Sequence, residues 1–306
     1  MSRNDVLSAD KTARQGRDRD ERRRIESCDH ESMNICAISS VGRATHLHWE
    51  GRGFESLIAH SVKFNLKKSI LYEDEHLFVI NKPSGLMVHG DGRSKEKTLS
   101  EYILEVYPEL ETIGEPVEMT LKGEVIKVPR PGIVHRLDKE TSGVLLIAKD
   151  QPTFLFIKKQ FQEHKIKKTY HAIAWGTMKD SSGTITAPIG RSASDFRKWH
   201  AGRGIRGETR DAVTQFYVLR YFEEADTAFS YLEVHPKTGR THQIRVHLAY
   251  RNHPIVGDSL YASKKPYMLG FDRLALHAYV LTFTKPDGEQ LSVQAPLPEL
   301  FQKYVK

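Results

Sequence analysis

An α+β fold on a mostly antiparallel sheet is what this sequence predicts, and three observations predict it. Short β-rich runs dominate after residue 65, several of them are paired across tight polar turns, and the few helical segments stand singly between them. The chain has 306 residues, of which 39% are hydrophobic and 28% charged, so length and apolar content suffice for a real core.

Residues 1–65 come first and read differently. "ARQGRDRDERRRIESCDHES" mixes charges without apolar periodicity, which predicts disorder, and "SSVGRATHLHWEGRGFES" (39–56) follows neither helical nor strand spacing. Residues 39–44 and 53–56 can be written in codons that look like the D-arm and T-arm of a tRNA gene, at about the right separation. The expectation is a misplaced start over such a gene, with the native chain beginning at a non-ATG codon near Val62. A native basic arm is the alternative, and N-terminal sequencing separates the two. The folded domain is expected to span 66–306.

Within it, residues 70–72 and 77–80 flank the acidic turn "EDE" as a hairpin, and "NKPSG" follows, with Pro83 and Gly85 marking a turn. Residues 106–131 read as a long excursion carrying a small hairpin. Residues 144–148 make a continuous apolar strand, after which Asp150 caps a helix bearing Phe154, Ile157 and Phe161. "KIKKTYHAIAWG" is a strand through Tyr170 and Trp175, and "GRSASDFRKWHAGRGIRG" (190–207) reads as a basic loop. "AVTQFYVLRYF" and "AFSYLEVHPKTG" pair antiparallel across "EEAD". "THQIRVHLAY" is a helix with Thr241 as cap and Ile244 and Leu248 on one face. "LALHAYVLTF" and "EQLSVQA" meet across the turn "KPDG".

Several function classes are disfavoured. No apolar run approaches the about 18 residues of a membrane span, and no charged-then-apolar leader opens the sequence. The two cysteines, Cys28 and Cys36, do not make a disulfide framework, so a soluble, cytoplasmic protein is expected. Among fifteen histidines, His242 and His247 are five apart and do not share a helical face as a zinc pair would, and neither HExxH nor CxxC occurs. GxxxxGK[ST], GxGxxG before a helix and GxSxG are also absent, so no metal and no nucleotide cofactor is expected. A net charge of +7, nearly all of it after residue 65, is compatible with an anionic partner such as nucleic acid.

One stretch carries chemistry. "GIVHRLDKETSGVLLIAKD" (132–150) sets Asp138 between Arg136 and Lys139, whose charges favour the ionised acid. Such a carboxylate serves as nucleophile, base or structural anion, and on charge pattern alone the structural anion is the simpler reading.

The same stretch closely resembles the HRLDxxTSG signature of the RluA-type RNA pseudouridine synthases. "ILYEDEHLFVINKPSGLMVHG" (70–90), "KKTYHAIAWG", "LEVHPKTGRTHQIRVHLA" with "NHPIVGDSLY" (232–261), and "RLALHAYVLTF" follow in that family's order, so the resemblance covers nearly all of residues 68–301. It implies the pseudouridine synthase fold, a mixed sheet with flanking helices and a central catalytic cleft. The implied activity is conversion of uridine to pseudouridine within rRNA and/or tRNA by a monomer that flips the base out and uses no cofactor. Asp138 matches the catalytic aspartate, which either attacks the substrate or removes a ribose proton. Tyr170 matches the tyrosine that stacks on the base, and Arg245 the arginine that pairs with the aspartate. Arg136 matches the residue that enters the vacated space, while Lys139, Arg240 and His242 are the implied phosphate contacts. The basic loop at 190–207 is a candidate RNA clamp.

Larger relatives carry a small N-terminal RNA-binding module, which residues 1–65 do not resemble, so the chain reads as a short, catalytic-domain member. Two other classes fit the sequence less well. A catalytically silent RNA-binding protein on the same fold would have no need for Asp138, Tyr170 and Arg245 together, and a carboxylate glycosidase would want a second acid that the motif lacks.

Overall fold

A computed structural model describes residues 64–90, 96–121 and 124–305, all within the compact unit Ala59–Lys306. Of the expected disordered or non-native extension 1–65, residues 1–63 lie outside the described residues, while Phe64 packs on the core and Asn65 caps the first helix, so the folded part begins by Phe64.

The chain enters through α1 (Leu66–Ser69), capped by the Asn65 side chain, and the hairpin β1 (Ile70–Glu73) and β2 (Leu77–Lys82). The hairpin turn closes because Asp74 accepts the His76 and Leu77 amides at 2.9 Å each. Next come α2 (Leu99–Val106), a 3-10 turn (Pro108–Thr112) and the small hairpin β3 (Val117–Leu121) and β4 (Glu124–Val128). β5 (Ser142–Ala148) leads into α3 (Gln151–Gln162), where Asp150 accepts the Thr153 amide at 2.7 Å as the expected cap. β6 (Lys167–Trp175), β7 (Ser182–Thr186), β8 (Ile189–Ser192), β9 (Trp199–Ala201) and β10 (Ile205–Arg210) follow. β11 (Val213–Glu224), β12 (Thr227–Pro236), α4 (Gln243–Tyr250), β13 (Leu276–Thr284), β14 (Gln290–Gln294) and α5 (Glu299–Val305) complete the order.

The main sheet runs β1-β2-β5-β13-β6-β12-β11-β7, with β14 also paired to β13. Its neighbours are antiparallel except β5 and β13, which makes the sheet mixed and mostly antiparallel, as expected. The continuous apolar run of β5 has a simple cause, since the strand is covered on both faces. Leu145 and Ile147 join Phe78, Ile80, Leu99 and Ile103 on the α2 side. Val144 and Leu146 join Leu77, Val79, Ile157 and Phe283 on the α3 side. A third and larger cluster, around Ile173, Phe216, Phe229, Tyr231 and Leu232, fills the half of the sheet against α4 and α5.

Two sequence expectations are corrected. The basic stretch 190–207 is not simply a loop, because β8, β9 and β10 form a separate three-stranded sheet that takes up half of it. Ile189 and Ala201 are buried, and two residues along, the Arg191 guanidinium lies 4.7 Å over the Trp199 ring. These strands are too short and too charged to show an alternating pattern. The α4 cap is His242 rather than Thr241, with its backbone in the left-handed region at φ 54°. No His242 side-chain bond caps the helix. Instead Gln243 Oε1 accepts the Arg240 amide at 3.0 Å and the Thr238 hydroxyl at 2.7 Å, which folds the preceding turn onto the helix.

The Thr-Ser-Gly that follows Asp138 in the 132–150 stretch has a backbone purpose. Gly143 has φ 115°, and a Cβ there would stand 2.0 Å from the Ala278 carbonyl oxygen of β13. Gly143→Ala is therefore expected to cost about 2–4 kcal/mol, through strain and overpacking together. An unchanged thermal midpoint would contradict the close β5–β13 approach.

Candidate active site

The loop before β5 is pinned on the side away from solvent. Leu137 is buried in the α2-side cluster, and Thr141 donates its amide to the Asp138 carbonyl at 3.1 Å. From below, the "NKPSG" turn grips the same loop. Gly85 donates its amide to the Lys139 carbonyl at 2.9 Å, and Ser84 Oγ donates to the Glu140 carbonyl at 2.6 Å. Lys82, fully buried, donates Nζ to the carbonyls of Pro83, Leu86 and Lys139 at 2.8, 2.8 and 3.1 Å. Burial pushes its pKa down to about 7, against the opposing pull of Asp138. The turn read from sequence as a mere reversal is thus the platform under Asp138.

Asp138 faces a cleft of about 640 Å³ whose walls also include Arg136, Tyr170, Arg240, His242 and Arg245. Arg245 Nη1 donates to Asp138 Oδ2 at 3.2 Å. The expected pairing is present, but Asp138 is the weaker of two partners. Arg245 Nε and Nη2 donate to Asp258 Oδ2 and Oδ1 at 2.8 and 2.9 Å, a bidentate fork inside the protein. Asp258 is 1% exposed and also accepts the Leu260 and Tyr261 amides at 3.0 and 2.9 Å. Burial works against the Arg245 charge, yet the hydrogen bonds and charge of Asp258, with help from Asp138, hold its pKa above the ordinary arginine value. Arg245 is permanently cationic and fixed by Asp258, and it spends its third nitrogen on Asp138.

Tyr170 rises from β6 between two core clusters. Burial, and then the Asp138 charge, push its phenol upward, so it stays protonated at neutral pH. His242 Nε2 stands 3.9 Å from Asp138 Oδ1, and its Nδ1 pairs with Tyr261 Oη at 2.9 Å. Burial lowers the His242 pKa, partly offset by Asp138. Tyr261 Oη also accepts the Trp199 amide at 3.0 Å, which ties the three-stranded sheet to the site.

The residues expected to meet RNA divide. Arg136 is exposed at the cleft mouth, and Arg240 lines it while donating Nε to the Asp211 carbonyl at 3.0 Å. Lys139 lies outside the lining, with Nζ at 2.6 Å from Glu96. Residues 190–207 also stand off the lining. Sequence reasoning missed Asp258, Tyr261, Lys82 and Ser84, although all four sit in stretches that carried the family resemblance. Among the described residues, no group of three or more His, Cys, Asp or Glu side chains could hold a metal ion.

Comparisons with known proteins identify the family. The family described as RNA pseudouridylate synthase matches residues 76–250. A ribosomal large subunit pseudouridine synthase D of Xanthomonas campestris is 39% identical over 80% of this chain and 70% of its own. A Synechocystis protein named as an uncharacterized RNA pseudouridine synthase is 38% identical over 78% of this chain and 68% of its own. The solved structure of human RNA pseudouridylate synthase domain containing 1 superposes with a TM-score of 0.59 at 26% identity, over 79% of this chain and 86% of the human one.

Proposed function

The chain belongs to the RNA pseudouridylate synthase family, and from that premise we propose that it isomerises specific uridines of structured rRNA or tRNA by a base-flipping, cofactor-free route centred on Asp138. The observation that carries the proposal is the convergence of Asp138, Arg245 and Tyr170 on one cleft. The name of the Xanthomonas relative makes large-subunit ribosomal RNA the first substrate to examine.

Each side chain then has a task. Arg245 holds Asp138 Oδ2, which leaves Oδ1 for the ribose. Asp138 either attacks the anomeric carbon or removes a ribose proton, and in both routes the bond from that carbon to uracil N1 breaks. The freed uracil turns and C5 bonds to the same carbon as the Asp138 carboxylate leaves it, or, in the other route, as the proton on Asp138 returns to the ribose; C5 then gives up its proton and N1 gains one. Atoms and electrons balance without an oxidant. The Tyr170 ring offers the uracil a stacking face, and its hydroxyl a relay for the C5 proton. Arg136, at the mouth, fills the space left by the flipped base with a planar cation, while Arg240 and His242 meet phosphates.

The test is to incubate the full chain with total RNA from a strain lacking its gene and to map pseudouridine by chemical adduct and primer stops. New stops at discrete uridines are expected; an unchanged stop pattern across all RNA contradicts the proposal. RNA affinity should also fall with salt, each Lys or Arg on a phosphate adding about −0.7 to −0.9 to the slope of log K against log salt. A flat response in a filter-binding titration would count against an electrostatic cleft.

A further inference from the structure

The cleft continues past the Asp138 corner along α3 and the first half of β6, where Lys158, Phe161, Gln162, His164 and Lys168 line it. This end has no task in the chemistry above. Phe161 stacks on His135 with ring centroids 4.7 Å apart, and the His135 ring is locked because Nε2 accepts the Leu146 amide at 3.0 Å. Burial lowers the His135 pKa to about 3, so the floor of this end is neutral and flat.

Lys168 is the cation here. Residues two apart on a strand share a face, so Lys168 and Tyr170 enter the cleft side by side, separated by about 6.6 Å of strand. Lys158, on the same wall, is already neutralised by Glu115. Lys168 has no such partner among the described residues, and its Nζ donates to the Thr238 carbonyl at 3.1 Å. Next to that carbonyl is Gly239, where even a Cβ would stand 3.9 Å from Nζ, so the ammonium keeps open space in front of it. Burial alone drives its pKa down to about 8. A half-buried ammonium held by one carbonyl pays a desolvation cost that an anion would offset.

We propose that Lys168, with the open face of Gly239 beside it, is a binding site for a backbone phosphate flanking the flipped uridine. The inference rests on the proposed function and deepens it, because it fixes the direction in which the RNA strand leaves Tyr170. Charge supplies the attraction, and the missing side chain at Gly239 supplies the access. The neighbouring base would then lie toward the Phe161–His135 floor.

The experiment uses the full chain and a synthetic stem-loop that carries the uridine identified by the mapping assay, with single methylphosphonate linkages on either side of it. A neutral linkage at the contacted phosphate should weaken binding to the wild-type chain about tenfold, and weaken Lys168→Met no further. Lys168→Met alone should lose the same factor and flatten the salt slope by about 1, while Lys168→Arg keeps most of both. The inference is overturned if no flanking methylphosphonate weakens the wild-type chain, a result that does not depend on any variant folding. It is equally overturned if Lys168→Met and the modified linkage reduce affinity independently. Pseudouridine formed by the wild-type chain on the same stem-loop separates the two levels. With product present, a failed linkage test sinks the Lys168 site alone; with no product, the parent reading and this site fall together.

Discussion

Asp138→Asn should lower pseudouridine formation by about four orders of magnitude or more, the scale seen when a group essential to bond making is removed. The fold should survive, because the substitution keeps the shape of the side chain, and an amide oxygen can still accept from Arg245. A shift of about 1 kcal/mol or less in stability is expected, and RNA affinity should stay within a few-fold of wild type, since phosphate contacts carry most of it. Mapping, a thermal melt and a binding titration on the same preparation check the three parts. Wild-type turnover by Asp138→Asn would remove Asp138 from the mechanism. A variant that unfolds would instead return Asp138 to the role of structural anion.

The second large effect falls on a residue away from the reacting atoms. Asp258→Ala should destabilise the chain by about 3–5 kcal/mol, because it strands the buried Arg245 guanidinium and leaves two amides without their acceptor. In a domain of this size that corresponds to a drop of about 10 °C in the thermal midpoint. Activity should fall as well at temperatures where the variant is still folded, since Arg245 would no longer be aimed and Asp138 would compete for its whole charge. A full melt and turnover series on Asp258→Ala that matches wild type would show that Arg245 is held by something else.

The contrast between these two acids explains how much was legible beforehand. Hairpins and the doubly covered strand β5 could be read because turn chemistry and apolar runs are local. The helix α2 could have been read too, since Thr98 and Glu101 form a capping box whose spacing is visible in sequence. Asp138, Tyr170 and Arg245 are far apart along the chain, so no local rule joins them; only the order of the family's motifs does. Asp258, in a Gly-Asp-Ser turn, looks from sequence like an ordinary surface acid. Its burial comes from tertiary contacts that pack α4 beside it, and nothing local announces them. Lys82 misleads for the same reason, as a lysine in a Pro-Ser-Gly turn reads as solvated while its ammonium is enclosed by three carbonyls. The small sheet of β8, β9 and β10 was invisible because its charged residues follow no period.

The central claim is that this cleft rearranges uridine itself through Asp138. RNA labelled with tritium at uridine C5 tests it most directly, since bonding C5 to the ribose expels that hydrogen to water. The wild-type chain is predicted to release tritium in step with pseudouridine formation, with chelator present and no nucleotide or oxidant added, and Asp138→Asn to release none. Release by Asp138→Asn at the wild-type rate, or pseudouridine formed with the tritium retained, would contradict the account.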